Sequence, residues 1–273
     1  MTIDQPTASE GEALVSIIMP SHNSARFIDE TLQSVIDQTY TNWELIVVDD
    51  RSADGTADIV ARYAQSDDRI LLIHLDQNSG AAVARNTAIT AARGRYIAFL
   101  DSDDLWHPDK LTRQISFMIQ TSCPFTFGSY ERISESGEYL GTVIVPPRTN
   151  RHRLLKANVI ACLTAVYDRE YFGRTLMPLI RKGQDYGLWL ALLTRLDEAR
   201  AVPALLGRYR VREQSISSNK FESSVWVWRV YRQIAGLHLT AAVYYFVHYA
   251  ISGVFVRLRE RVRASFKRPQ PQD

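Results

Sequence analysis

The chain has 273 residues, 46% of them hydrophobic, and a formal net charge of +2. That length suits one large domain or a domain with an appendage, and that apolar fraction supplies a real core. The near-neutral balance gives no overall case for binding nucleic acid, and the two cysteines, Cys123 and Cys162, do not form a disulfide framework, so a reducing cytoplasm is expected.

Residues 1–13 are polar and slightly acidic. They lack the basic and apolar regions of a secretory signal and are expected to be disordered. Val15 to Met19 reads as a strand ended by Pro20. Ile28, Leu32, Val35 and Ile36 then share one face of a helix from Phe27 to Gln38. Glu44 to Val48 is the next strand, with Asp49 and Asp50 at its C-terminal end. The turn Asp54-Gly55-Thr56 leads into a helix from Ala57 to about Ala64, and Ile70 to Leu75 forms a third strand. Ser79-Gly80 opens a helix running to about Ala92. Tyr96 to Leu100 is a fourth strand, stopped abruptly by Asp101-Ser102-Asp103-Asp104. Uniformly apolar strands alternating with helices predict a parallel sheet covered on both faces. Ligands in such sheets bind at the carboxyl ends of the strands, where all these aspartates fall.

On an extended backbone Asp101 and Asp103 would share one side. Two convergent carboxylates repel, and a hard divalent cation, Mg²⁺ or Mn²⁺, removes that repulsion. The same residues also suit a polar turn with a helix cap ahead of Pro108.

The second half is less regular. A helix is expected from Pro108 to about Ile119, with proline at its start. Phe125 to Arg132 and Tyr139 to Val145 suit a hairpin around Glu135-Ser136-Gly137. Val159 to Tyr167 reads as a strand, and Asp185 to Leu193 as a helix with Leu188, Trp189 and Leu192 inward. From Phe221 the chain looks helical to about Val256, with a break at Gly236. No strong linker appears, so the expected organisation is a disordered segment 1–13, a catalytic domain 14–220 and a helical appendage 221–273.

Ile234 to Val256 contains no Asp, Glu, Lys or Arg, and is followed by Arg257, Arg259, Arg261, Arg263, Lys267 and Arg268. Three placements are open: an interfacial helix docked on an anionic leaflet, a helix packed on the catalytic domain, or a membrane span.

The chain has no Gly-Lys-Ser/Thr phosphate loop and no G-x-G-x-x-G after the first strand, which argues against P-loop and dinucleotide folds. The first strand leads instead into Pro20-Ser21-His22-Asn23. A proline-fixed loop with an imidazole can support a flat base, and Asp49 or Asp50 can accept a hydrogen bond from it. His22 equally suits an ordinary loop histidine.

Six blocks over about ninety residues have a family's order and spacing: Val15 to Asn23, Val47-Val48-Asp49-Asp50, Asp54-Gly55-Thr56, Asn78-x-Gly80, Ala84-Arg85-Asn86 and Phe99 to Asp104. They resemble glycosyltransferase family 2. Gln184-Asp185-x-x-Leu188-Trp189, Tyr209-Arg210 and Ser215-Ile216-Ser217 fit the same family. Met177-Pro178 and Ser215 to Lys220 are similar to the bacterial surface-polysaccharide members of the teichuronic acid type. The resemblance covers about Val15 to Lys220, and more weakly reaches Tyr249.

The resemblance implies a glycosyltransferase A-type α/β fold, with a Rossmann-like, mostly parallel sheet flanked by helices. It also implies an inverting transfer from a nucleotide-sugar donor, a UDP-sugar first of all, to a hydroxyl of a glycan or lipid-linked sugar acceptor. Asp103 would hold the metal, with Asp101 on the metal or donor ribose. Asp185 would be the base, although a carboxylate at a helix start is also favoured by the helix dipole. Pro20, His22, Asn23, Asp49, Asp50, Asn78, Gly80 and Arg85 would shape the donor site; Arg85 also suits a surface helix charge. Arg210 and Arg212 would close over the diphosphate, or else pair with Glu213 on the surface. Trp106 suits either the sugar pocket or packing. The expected location is the cytoplasm, at the inner face of the cell membrane if residues 234–268 make a peripheral contact.

Two positions depart from the family pattern. His22 stands where Tyr or Phe is more usual, and Arg212 where many members have His; arginine cannot ligate a cation but can pair with phosphate. The Gln-x-x-Arg-Trp motif of processive synthases is absent. Two other readings share the sequence features: a non-catalytic nucleotide-sugar binding protein, and a sugar-nucleotide pyrophosphorylase. The second would be expected to have a glycine-rich basic loop after the first strand.

Overall fold

A computed structural model describes residues 13–212 and 220–251. The expectations for residues 1–12, the motif Ser215 to Asn219 and the basic tail lie outside the described residues. In chain order the first half contains β1 (Val15–Ser21), α1 (Ile28–Ile36), β2 (Trp43–Asp49), α2 (Thr56–Ser66), β3 (Ile70–His74), α3 (Ala81–Ala91) and β4 (Tyr96–Phe99). The second half contains β5 (Leu105–Trp106), α4 (Lys110–Thr121), β6 (Phe125–Ile133), β7 (Tyr139–Val143), β8 (Arg148–Thr149), α5 (Arg151–Lys156), β9 (Val166–Asp168), α6 (Arg169–Phe172), α7 (Gln184–Leu192), β10 (Ala199–Arg210) and α8 (Lys220–Arg229). A π-helical turn, Val230–Ile234, precedes the break at Gly236, and a last helix, α9, covers 239–251.

One sheet runs through the molecule in the order β3-β2-β1-β4-β9-β6-β10-β5. The first four strands are parallel, as the alternating pattern predicts. The second half adds antiparallel partners, beginning with β9 against β4. The result is the mixed α/β sheet, flanked by helices, of the expected fold class.

Alternation along β1 divides its side chains between two cores. Ile17 and Met19 pack with Leu32 and Val35 of α1, while Ile18 packs with Ala84 and Ala88 of α3. The second core also holds Trp189 of α7, whose ring meets Phe99 edge-on at 5.4 Å and lies tilted 5.3 Å from Phe125. These aromatic contacts lock α7 against the end of β4.

Besides the short elements β5, β8, α5 and α6, which the sequence pattern did not mark, two longer stretches differ from expectation. Val159 to Tyr167 is not one strand: Cys162–Thr164 forms a 3-10 turn and only Val166–Asp168 joins the sheet. The Thr164 hydroxyl and amide both donate to the Ala161 carbonyl, at 2.9 and 3.0 Å, which competes with an extended ladder. The sequence reading also passes over β10, a twelve-residue strand pairing with β6, β5 and β8. Pro203 interrupts it, and the register slips between Val202 and Leu205.

Candidate active site

The helices that bring Arg85 and Asp185 to the sheet both start at glycines of positive φ, Gly80 at +88° before α3 and Gly183 at +75° before α7. Side chains with a β-carbon are strained there, so glycine lets each helix leave its loop at that angle. Asp50 ties the first of these turns down. Its carboxylate accepts from the Ser79 and Gly80 amides at 2.6 and 2.7 Å, joining the end of β2 to the start of α3.

His22 sits exposed at the end of β1. Its Nδ1 lies 2.8 Å from the Asp50 carbonyl oxygen, which can only accept, so Nδ1 carries the proton. Nε2 is then an acceptor for Asn78 Nδ2 at 3.0 Å. Pro20, His22, Asp50, Asn78 and Gly80 line a cleft of about 740 Å³ that also receives Arg85, Asp101, Asp103 and Arg212. A second cavity of about 600 Å³ shares Arg85, Asp101, Asp103 and Arg212 and adds Asp185 and Tyr249.

Asp101 and Asp103 do not lie on extended backbone. β4 ends at Phe99, and Asp101 to Asp104 is a turn closed by the Asp104 amide donating to the Asp101 carbonyl at 3.1 Å. The expected period-two argument therefore fails, and the turn itself presents both carboxylates to one cleft. Burial and then the neighbouring Asp101 charge push the Asp103 carboxyl up, opposed by Arg212, whose Nη1 donates to Asp103 Oδ2 at 3.1 Å. Asp104 points the other way. It is buried, accepts from the Arg210 amide at 2.8 Å, and is pushed well above the carboxylate range by burial and by Asp103 and Asp101.

Arg85 is buried, not a surface charge, and donates through Nη2 to Asp101 Oδ1. Burial acts to lower its pKa, but the charge and hydrogen bond of Asp101, with the charge of Asp185 and the Cys162 thiol, together raise it. The Gln184 amide sits between the same guanidinium and the Ile180 carbonyl, and its neighbours assign its orientation: the oxygen to accept from Arg85 Nη1 at 2.6 Å and the nitrogen to donate to Ile180 at 2.8 Å. Asp185, next to Gln184 and one turn before the buried Trp189, is held in the first turn of α7. Burial pushes its carboxyl up, while the charge of Arg85 pulls it back.

Among the described residues no three His, Cys, Asp or Glu side chains form a closed metal cage. The donor set still fits a hard cation. Asp101 and Asp103 offer oxygen ligands to one cleft, and Mg²⁺ or Mn²⁺ ordinarily takes one or two carboxylates and completes its shell with phosphate and water.

A sequence profile described as glycosyl transferase family 2 matches residues 16–175. The chain belongs to glycosyltransferase family 2. This family 2 chain is 46% identical over 90% of its length, and 98% of the relative's, to a Bacillus subtilis protein named as a teichuronic acid biosynthesis glycosyltransferase, TuaG. It is 41% identical over 88% of its length, and 94% of the relative's, to the Escherichia coli protein WfgD, named a UDP-Glc:α-D-GlcNAc-diphosphoundecaprenol β-1,3-glucosyltransferase. Its fold is shared by S. aureus TarS in complex with UDP-GlcNAc, at TM-score 0.67 and 18% identity over 86% of this chain and 71% of that one. It is shared too by the mannosyltransferase PcManGT of Pyrobaculum calidifontis in complex with GDP-Man and Mn²⁺, at TM-score 0.65 and 18% identity over 93% and 81%. The family is one of glycosyltransferases, so this chain is an enzyme of that class.

Two expected site residues of the family 2 chain, Asp49 and Asn23, line neither cavity, and a third, Arg210, is held by partners within the protein. Asp49 lies off the cleft, its Oδ2 accepting from the Ser52 amide at 3.0 Å, because neighbours at a strand end point opposite ways. Asn23, at φ +48°, braces the loop instead, its Oδ1 accepting from the Ala53 amide at 2.9 Å. Arg210 is buried, and its guanidinium donates to the Asp103 and Glu135 carbonyls and to Glu30 at 2.6 Å. With its donors so engaged, Arg210 holds the aspartate turn; it lines the second cavity beside Asp101, Asp103 and Asp185, whereas Arg212 lines both cavities. Trp106 packs, its Nε1 donating to the Leu163 carbonyl at 2.8 Å. Sequence reasoning gave no role to Gln184 or Asp104, although both adjoin residues it singled out.

Proposed function

We propose that this enzyme is an inverting glycosyltransferase that moves a hexose from a UDP-sugar to a hydroxyl of a lipid-diphosphate-linked sugar during surface polysaccharide synthesis. The observation that carries the reading is the shared cavity of Asp101, Asp103 and Asp185, with Arg85 among them. The names of TuaG and WfgD support the polymer, donor and acceptor class.

In this reading the base of the nucleotide rests on His22, between Pro20 and Asn78. Arg212 swings from Asp103 to the diphosphate, which its fork fits. Asp103 and Asp101 would hold a divalent cation, which would supply charge neutralisation for the leaving diphosphate. The acceptor hydroxyl oxygen attacks the anomeric carbon, its proton passes to the Asp185 carboxylate, and the bond to the diphosphate breaks with its electron pair leaving on the phosphate oxygen. The raised Asp185 pKa makes that carboxylate a better proton acceptor than an exposed aspartate.

Calorimetric titration with UDP, GDP, dTDP and CMP, each with and without Mn²⁺, tests the donor half. Metal-dependent binding of UDP that is lost in Asp103→Ala is expected. Binding of none of the four nucleotides would overturn the proposal, and tighter binding of another base would replace UDP.

A further inference from the structure

Helix α9 has two apolar faces, and the fold uses only one. Ala242 is fully buried, and Tyr245, Phe246 and Tyr249 pack against the core behind it. His152 Nδ1 lies 2.7 Å from the Tyr245 hydroxyl, and the Phe246 ring meets Trp228 edge-on at 5.6 Å. The helix is therefore clamped to the catalytic domain along that side.

The opposite side carries Leu239, Val243, Val247 and Ile251, 60, 47, 49 and 47% exposed. Tyr244, also 47% exposed, lies beside them. At 3.6 residues per turn these positions cover an arc of about 140° along a stripe of about 18 Å. Thr240 alone is polar within that arc among the exposed positions. A surface helix of a water-soluble domain normally turns charge outward, yet 234–256 has no Asp, Glu, Lys or Arg. Among the described residues no helix is long and apolar enough to cross a bilayer.

We propose that α9 seats the enzyme on the surface of an anionic lipid bilayer, with Leu239, Val243, Val247 and Ile251 sunk into the headgroup–acyl boundary. Charge complementarity selects this occupant. The sequence beyond the described residues carries Arg257, Arg259, Arg261, Arg263, Lys267 and Arg268 against Glu260 alone, the pairing of apolar face and basic segment that anionic interfaces bind. A second copy of the chain would gain nothing from that concentration of like charge. The geometry also gives the seat a purpose. Tyr249, on the clamped side of the same helix, lines the cavity that holds Asp185. Docking on α9 thus brings that cavity to the lipid surface, where the lipid-linked acceptor of the proposed reaction resides. That purpose rests on the functional reading; the docking does not.

The test is co-sedimentation of the full chain with vesicles of phosphatidylcholine, with and without phosphatidylglycerol, in the absence of nucleotide and acceptor. The wild type is expected to pellet with phosphatidylglycerol vesicles. In Val243→Asp/Val247→Asp, whose changed side chains are half-exposed, the partition coefficient is expected to fall about ten-fold or more. Replacing Arg257, Arg259, Arg261 and Arg263 by Gln is expected to remove the preference for phosphatidylglycerol while leaving the folded domain intact by circular dichroism. Equal partition of the wild type and the aspartate variant would overturn the proposal. So would a wild type that ignores vesicles, or one whose stripe instead closes a dimer that the aspartate variant splits in sedimentation velocity. Because no sugar transfer is read, failure here leaves the functional reading standing, and failure of nucleotide binding leaves this one.

Discussion

The Arg85 guanidinium is buried beneath the Asp101 carboxylate and donates to it through Nη2, so the acidic turn after β4 rests on a cation supplied by α3. Arg85 is 9% and Asp101 31% exposed at the side chain, which leaves the arginine dry and the carboxylate open to the cleft. The pair offsets part of the repulsion among Asp101, Asp103 and Asp185, whose mutual charges still push the Asp103 and Asp185 carboxyls up.

Replacing Arg85 by Met leaves Asp101 without its counter-ion beside Asp103 and Asp185. Stability is expected to fall by about 3 kcal/mol, the low end for breaking a buried pair because Asp101 keeps some water. Chemical denaturation measures this, and an unchanged midpoint would refute it.

Asp185→Asn keeps the shape of the first turn of α7 and removes the base. Turnover is expected to drop about 10²–10⁴-fold while UDP binding persists. The wild-type rate is expected to fall with decreasing pH at a value above that of an ordinary aspartate, since burial raises the Asp185 pKa and only the ionised form accepts the proton. A rate that stays flat down to the ordinary aspartate pKa would exclude Asp185 as the titrating group.

Asp50→Ala strands the Ser79 and Gly80 amides, which donate to its two carboxylate oxygens. Each unpaired donor is costly, and the expected loss is about 2–4 kcal/mol together with weaker nucleotide binding. Thermal melts with and without UDP separate the two effects.

Lys110 is fully buried, its Nζ 3.8 Å from the Trp106 ring centroid and without a hydrogen-bond partner. Burial drives its pKa well below the usual lysine value. Between the lowered folded-state pKa and the ordinary lysine pKa the unfolded chain binds more protons than the folded chain, which costs stability and ceases to do so as pH rises through the ordinary lysine pKa. Lys110→Met is expected to raise stability at pH 7 by about 1–3 kcal/mol, with the gain shrinking towards pH 10. A gain independent of pH would point to packing alone.

Much of the first half was legible because its signals are local. The four parallel strands are short apolar runs between turn residues, and each was placed within about two residues of its observed ends. The appendage shows the limits of the same reasoning. Absence of charge in 234–256 left three placements open; packing of Ala242, Tyr245, Phe246 and Tyr249 fixes one side of the helix over 239–251 to the core, a contact that no local pattern in the sequence specified.

The sequence by itself determined the family, the fold class and the residue types at the strand ends, because motif spacing and strand periodicity are properties of neighbouring residues. Which acid meets which base was decided only in the tertiary structure. Arg210 looked like a phosphate ligand from its motif, yet its guanidinium is taken by Glu30, 180 residues away. Asp49 and Asp50 look alike in sequence, yet only Asp50 faces the cleft. The physical reason is the range of the forces. Apolar patterning acts through adjacent side chains, whereas charge pairing depends on which distant segments the fold brings within a few ångströms, and no local pattern encodes that distance.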